Sequence, residues 1–271
     1  MSVYDGERFL REAIGSVLEQ SLESLELIVV NDGSADATSE ILAEIEDPRV
    51  RIMRRPHAGL AAALNAGIAR ARAPLIGRMD ADDVADPERF ERQWEFLRDR
   101  PEVGLLGTAV RLADFSGRDV GTWVPPVTDR DIRRKMMRAN QFAHPSVVFR
   151  RSLFEAIGGY DERMTRAQDY DLWLRMLART EGANLPDPLL LRRLGREQFG
   201  TPAETSQIRW AVRARMAALR RGEFPLVAAA DLLPSLVAAA LPGPVRQLLR
   251  RITPGTSGVA TRVGRDRRGE D

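Results

Sequence analysis

The chain has no cysteine. That excludes disulfides, thiolate metal sites and cysteine nucleophiles, and it fits a reducing compartment. Lysine is nearly absent as well: Lys135 is the only one, so the basic charge is carried by arginine. Guanidinium groups do not titrate until very high pH, which reconciles a formal charge of only +2 with a pI near 9.5. Acids and bases are interspersed rather than clustered, which argues against a dedicated nucleic-acid binder. There is no clean run of ~18 apolar residues to span a membrane, no secretory signal at the start, and no internal repeat. What is present, in 271 residues that are 44% hydrophobic and 30% charged, is enough for a sizeable core in one large domain or in one domain plus appendages.

Apolar periodicity sets the expected elements. Residues 6–21 read as a helix with Phe9, Leu10, Ala13, Ile14, Val17 and Leu18 on one face. "LELIVV" (25–30) is the short β-branched run of a strand covered on both sides. A helix around Ile41, Leu42 and Ile45, a strand at 49–53, a helix at 59–71 and the apolar "LIG" follow. Asp86 is placed to cap the next helix, with Pro87 at its first position and Phe90, Trp94 and Leu97 on one stripe. This strand–helix rhythm predicts a parallel sheet with crossover helices. Beyond residue 100 the pattern changes. One or two strands are expected at 103–112, a loop to about Asp129, and a helix at 129–139. Then come a strand at 146–150, a short helix in "RSLFEAI", a helix at 167–179 and a last strand at 189–194. From about residue 204 the chain reads as helical, alanine- and leucine-rich between 226 and 241, and disordered from Pro254.

Chemistry concentrates at two strand ends. "LIVV" runs into Asn31-Asp32-Gly33-Ser34, and "LIGRM" runs into Asp80-Ala81-Asp82-Asp83. In an open α/β sheet, ligands gather beyond the carboxyl ends of strands. Carboxylates there suit a hard cation such as Mg²⁺ or Mn²⁺, its shell completed by a diphosphate. Clustered aspartates are also the ordinary residues of a solvated turn, and these residues alone leave both readings open.

The order of motifs resolves this. "SVYDGERFLREAIGSVLEQSLESLELIVVNDGSADATSEIL", "GLAAALNAGIARARAPLIGRMDADD", "HPSVVFRRSLFEAIGGYDE" and "QDYDLWLRM" resemble family-two glycosyltransferases, over roughly residues 2 to 195. The residue pattern makes 196–253 a helical extension, and the resemblance implies a glycosyltransferase A-type fold, a mixed, mainly parallel sheet flanked by helices, with residues 1–195 forming the catalytic domain. It implies transfer of a sugar from a nucleotide diphosphate, UDP first among the carriers, to a saccharide or lipid-linked hydroxyl, with inversion. The setting would be cell-envelope polysaccharide or glycolipid synthesis. It carries roles onto particular residues. Tyr4 contacts the nucleotide base and Asp32 hydrogen-bonds it. Asp82 binds Mn²⁺ or Mg²⁺ directly, Asp80 binds the ribose or the metal through water, and Asp83 supports the metal or the sugar. His144 lines the donor pocket, and Asp169 is the catalytic base, in a Gln168-Asp169 pair where glutamate-aspartate is commoner in the family. Asp171, two residues on, should point away from Asp169. Arg78, just ahead of the acids, is expected to pair with them or with phosphate.

Two regions depart from the family pattern. Only Met1-Ser2-Val3 precede Tyr4, whereas the family begins with a full apolar strand; we expect the first strand to be truncated and the natural start to lie upstream. Residues 209–252 join a basic helix to an apolar stretch interrupted by Asp231, Pro234 and Pro242. That stretch either packs on the catalytic domain or lies at the inner surface of the cell membrane of an otherwise cytoplasmic protein. A sugar nucleotidyltransferase would need a glycine-rich basic loop that "VYDGERFL" does not supply. A non-catalytic nucleotide-sugar-binding protein is the alternative from another class.

Overall fold

A computed structural model describes residues 1–195 and 202–241. Its N-terminal half follows the expected rhythm. Strands β1 (Ser2–Val3), β2 (Leu27–Asn31) and β3 (Val50–Arg54) pair in parallel. They are connected through helices α1 (Leu10–Leu18) and α2 (Thr38–Ala43), and α3 (Leu60–Ile68) leads on to β4 (Leu75–Gly77). A parallel bridge from Ser2 to Asp80 makes β1 an interior strand, with β2 on one side and the acidic turn on the other. The chain then runs through β5 (Val84–Ala85), α4 (Arg89–Asp99), β6 (Val103–Asp114) and β7 (Asp119–Trp123). After α5 (Asp129–Met136), β8 (Val148–Arg150), α6 (Arg151–Ala156) and α7 (Gln168–Leu177), the long strand β9 (Glu181–Leu194) closes the sheet in the order β4-β8-β6-β9-β5.

Alternation within the central strands shows how the sheet is covered. Leu105 of β6 and Phe149 of β8 pack with Trp173, Leu174 and Phe154 on the face of α6 and α7. Their neighbours Leu106 and Val148 turn to the opposite face and pack with Leu97 of α4. Successive residues of a strand point to opposite sides, and both sides here are apolar. That is why β6 reads as an unbroken apolar run rather than an alternating one.

Pairing is mixed, as expected, but among the described strands only β1–β2, β2–β3 and β6–β9 pair in parallel, besides the Ser2–Asp80 bridge. The pairs β4–β8, β8–β6, β6–β7 and β5–β9 are antiparallel. Two strands differ from the sequence expectation. The loop expected before Asp129 contains β7, joined to β6 by a turn in which the Asp114 carboxylate accepts from the Ser116 and Arg118 amides and Gly117 takes φ +84°. β9 starts at Glu181 rather than 189. It carries Pro186 and Pro188, which cannot donate to a ladder, and its register against β6 slips there, from Thr108–Leu185 to Ala109–Pro188. Asp86 does not cap α4 directly. Its carboxylate accepts from the Glu88 amide at 3.1 Å and its carbonyl from Arg89, so Asp86 and Pro87 form the turn ahead of the helix.

The helical extension packs onto the domain. α8 (Pro202–Arg220) lies against α7, followed by a 3-10 segment (Leu226–Leu232) and α9 (Leu233–Ala240). The expected tail from residue 254 lies outside the described residues.

Candidate active site

Asp32 closes β2 and is buried. Its carboxylate accepts from the Gly59 amide at 2.8 Å and from the Ala58 amide, with Arg55 Nε at 3.3 Å and His57 Nδ1 at 3.0 Å. The carboxylate therefore ties down the segment that leads from β3 into α3. Gly33 adopts φ +80°, and a Cβ there would lie 2.7 Å from the His57 amide nitrogen, so glycine alone allows the two segments so close an approach. The outcome is an exposed pair of rings: the Tyr4 ring centre, 4.2 Å from that of His57, belongs to a side chain still 53% exposed. Neither Arg55 nor His57 was anticipated. Their signal was "RRPHAG" immediately behind a strand, with one of only two histidines in the chain.

Across β1 lies the acidic turn. Asp80, Asp82 and Asp83 each offer a carboxylate oxygen within 4.8 Å of the others. Arg78 pairs with Asp80, as expected. Asp83 is 1% exposed; one oxygen accepts from the Arg193 amide at 2.8 Å, while Oδ2 is buried without a hydrogen-bond partner. Burial, with Asp80 and then Asp82 adding repulsion, pushes the Asp83 carboxyl up to about 8. Burial and Asp80 raise Asp82 as well. Arg78 offsets one of these three crowded acids, an oxygen of Asp83 stays unpartnered, and an oxygen-only set of this kind fits Mg²⁺ or Mn²⁺. β9 holds the turn from outside: Arg193 donates to the Asp82 carbonyl at 2.7 Å and pairs with Glu12.

Asp169 lies in the first turn of α7, where its Oδ2 accepts from Asn140 at 2.9 Å. Burial raises its pKa, against the backbone donor of Tyr170 and the charges of Arg192 and Arg78. Asp171 points elsewhere, buried against Arg175 at 2.7 Å in a separate cleft of about 510 Å³ lined by Asn65, Gly159 and Arg221. His144 makes a 2.9 Å hydrogen bond with the Tyr160 hydroxyl and sits edge-on to Trp173. Burial, with Arg78 and Arg192 adding to it, holds its pKa well below the ordinary value, so the imidazole is neutral.

These groups converge. The Tyr160 hydroxyl, raised mainly by burial, is raised further by both Asp169 and Asp80. Arg78 acts on Asp80, Asp83, Tyr160, His144 and Asp169. Asp169, on a helix in the second half of the chain, therefore feels the same Arg78 charge as the strand-tip acids of the first half. Tyr160, Asn140 and Arg192 are the members of this group that sequence reasoning missed.

Residues 1–158 match the model of glycosyl transferase family 2. The chain belongs to that family. The match spans Tyr4, Asp32, the Asp80–Asp83 turn and His144, and stops short of Asp169. Among family relatives, an amylovoran biosynthesis glycosyltransferase, AmsE of Erwinia amylovora, is 34% identical over 201 residues, covering 72% of this chain and 75% of AmsE. Solved structures share the fold. A mannosyltransferase from Pyrobaculum calidifontis, in complex with GDP-Man and Mn²⁺, superposes with a TM-score of 0.65 at 19% identity, over 93% of this chain and 78% of its own. S. aureus TarS 1-349 in complex with UDP gives a TM-score of 0.61 at 17% identity, over 79% of this chain and 63% of its own. The chain thus spans less than two thirds of that TarS structure. The α/β architecture expected of the family, a central sheet flanked by helices, is the one observed.

Proposed function

We propose that this family-two chain transfers a sugar from a nucleotide diphosphate to an acceptor hydroxyl with inversion, in the synthesis of an envelope polysaccharide or a lipid-linked glycan. What carries this reading is a chain of contacts from α7 to the acidic turn: Trp173 of α7 lies edge-on to His144, which bonds Tyr160, and Arg78, paired with Asp80, acts electrostatically on both His144 and Asp169. Tyr4 and His57 offer exposed ring faces beside Asp32, chemistry suited to a nucleobase. Asp82 and Asp80 would hold Mn²⁺ or Mg²⁺, with Asp83 in support. Such an ion, when bound, neutralises charge on a departing diphosphate.

Asp169 is the base in this reading. Asn140 fixes its carboxylate, and the raised pKa improves its match to an alcohol proton. The acceptor oxygen forms its bond to the anomeric carbon as the bond to the diphosphate oxygen breaks, and the hydroxyl proton passes to Asp169. Because no second carboxylate is placed as a nucleophile in this reading, one displacement gives inversion. His144, neutral and tied to Tyr160, shapes the wall of the pocket rather than moving a proton. UDP and GDP carriers are both supported by neighbours, one solved with UDP and one with GDP-Man.

The test is turnover of a panel of UDP- and GDP-sugars with Mn²⁺ or EDTA. We expect Mn²⁺-dependent release of nucleoside diphosphate. Asp169→Asn should lower turnover by about 10²-fold or more, on the scale of general-base catalysis, with donor affinity unchanged. Undiminished turnover in Asp169→Asn removes it from the base role.

A further inference from the structure

The other buried arginines among the described residues have donors engaged. Arg89 donates to the Gln93 side chain, the Arg78 carbonyl and Met79 Sδ. Arg215 donates to three carbonyls. Arg78 is the exception. It is only 4% exposed; Nη1 is held in close ion contact by Asp80 Oδ1, whereas Nε and Nη2 lack any partner among the described residues. A guanidinium presents a rigid fork of donors, and leaving them unmade in a buried site is costly. Asp80 supplies the opposite charge at contact distance. The free donors therefore stand beside the carboxylates that fit a divalent cation, and they have the chemistry that recognises phosphate oxygens.

We propose that Arg78 couples metal binding to nucleotide binding: it serves as the counter-ion of Asp80 when no ligand is bound, and its free donors engage the donor's diphosphate once a divalent cation takes Asp80. This rests on the reading that Asp80 and Asp82 hold the cation. A metal ion arriving alone competes with Arg78 for one carboxylate and meets its charge at short range, so it binds weakly. A diphosphate arriving alone finds the Arg78 charge already matched by Asp80 and three acids nearby, so it binds weakly too. Together, the cation releases Arg78 and the diphosphate separates the two positive charges. Each ligand thus raises the affinity of the other by the same factor, as linkage requires.

Mn²⁺ titrations of the full chain, with free Mn²⁺ read by electron paramagnetic resonance, test this with and without UDP or GDP. In the wild-type chain, nucleotide should tighten Mn²⁺ binding by about tenfold or more, within the usual range of coupling between sites. In Arg78→Gln, Mn²⁺ alone should bind several-fold tighter, and the effect of nucleotide should fall to about twofold or less. A folded Arg78→Gln chain with unchanged Mn²⁺ affinity and intact coupling overturns the proposal while leaving the metal site standing. If circular dichroism shows Arg78→Gln unfolded, Arg78→Lys decides, since it keeps the charge but loses the fork: coupling should drop at least severalfold, and unchanged coupling overturns the proposal. Failure of the wild-type chain to bind Mn²⁺ under either condition overturns the metal reading and this proposal together.

Discussion

Asp83 sits between two other acids with one oxygen unpartnered, and its charge is expensive. Burial, then Asp80 and Asp82, place its carboxyl near 8, against about 4 for an aspartate in an unfolded chain. Between those values the folded chain holds a proton that the unfolded chain has released. Stability in the absence of metal therefore falls as pH rises through that window. Asp83→Asn removes the charge and keeps a carbonyl oxygen for the Arg193 amide. Melting in EDTA should show the variant more stable than wild type at pH 9, by about 2–6 °C for a gain of one or two kcal/mol. The difference should vanish toward pH 4, and Mn²⁺ should narrow it by stabilising the wild type more than the variant. A wild-type melting temperature that does not decline from pH 5 to 9 relative to the variant would show that Asp83 carries no such penalty.

At the scale of elements, α8 packs Ala214 and Ala218 into the core, and one buried polar side chain adds to that hold. Arg215 is 2% exposed and donates from Nη1 to the carbonyls of Met137 and Arg138, just past α5, and from Nε to Ala211. Its guanidinium also lies over the Tyr170 ring. Those carbonyls belong to a helix end that has no further helical donors of its own. Arg215→Leu should cost about 2–4 kcal/mol, as charged hydrogen bonds are lost and buried acceptors stranded, seen as a lower urea midpoint. Exposed Arg213→Ala should change the midpoint little. None of this was legible in sequence, where Arg215 is one arginine among many in "RWAVRARMAALRR". Short apolar runs such as "LIVV" announced β2 because their periodicity is local. β7 was hidden by a polar hairpin and the first half of β9 by Pro186 and Pro188, whose strand character depends on pairing with a distant β6. The same distinction holds in the site. Asp32, Asp80, Asp82 and Asp83 lie in compact motifs at strand ends, whereas Tyr160, Asn140 and Arg192 join only through the tertiary path of the chain.

At the scale of the molecule, the surface formed by residues 224–241 stands apart. Leu226 and Val227 are 78% and 82% exposed, and Leu233, Leu236 and Val237 are exposed as well. Asp231 is the sole charged residue in this stretch, and it is paired with Arg138. No helix among the described residues is long and apolar enough to cross a membrane. Arginines flank the stretch in sequence: Arg209, Arg213, Arg220 and Arg221 before it, Arg246, Arg250 and Arg251 after it. Exposed apolar side chains between arginines match an interface where the former enter the headgroup boundary and the latter meet anionic phosphates. A transferase acting on a lipid-linked acceptor would gain from that placement, because its acceptor is confined to the same surface. Sedimentation with vesicles containing phosphatidylglycerol should pellet the chain, and neutral phosphatidylcholine vesicles should not. Rising salt should weaken the association as the arginine contribution is screened. The double substitution Leu226→Asp, Val227→Asp should return the chain to the supernatant with its melting temperature unchanged, since both side chains already face solvent. Wild-type protein that stays in the supernatant with anionic vesicles would mean that this apolar face meets something other than lipid.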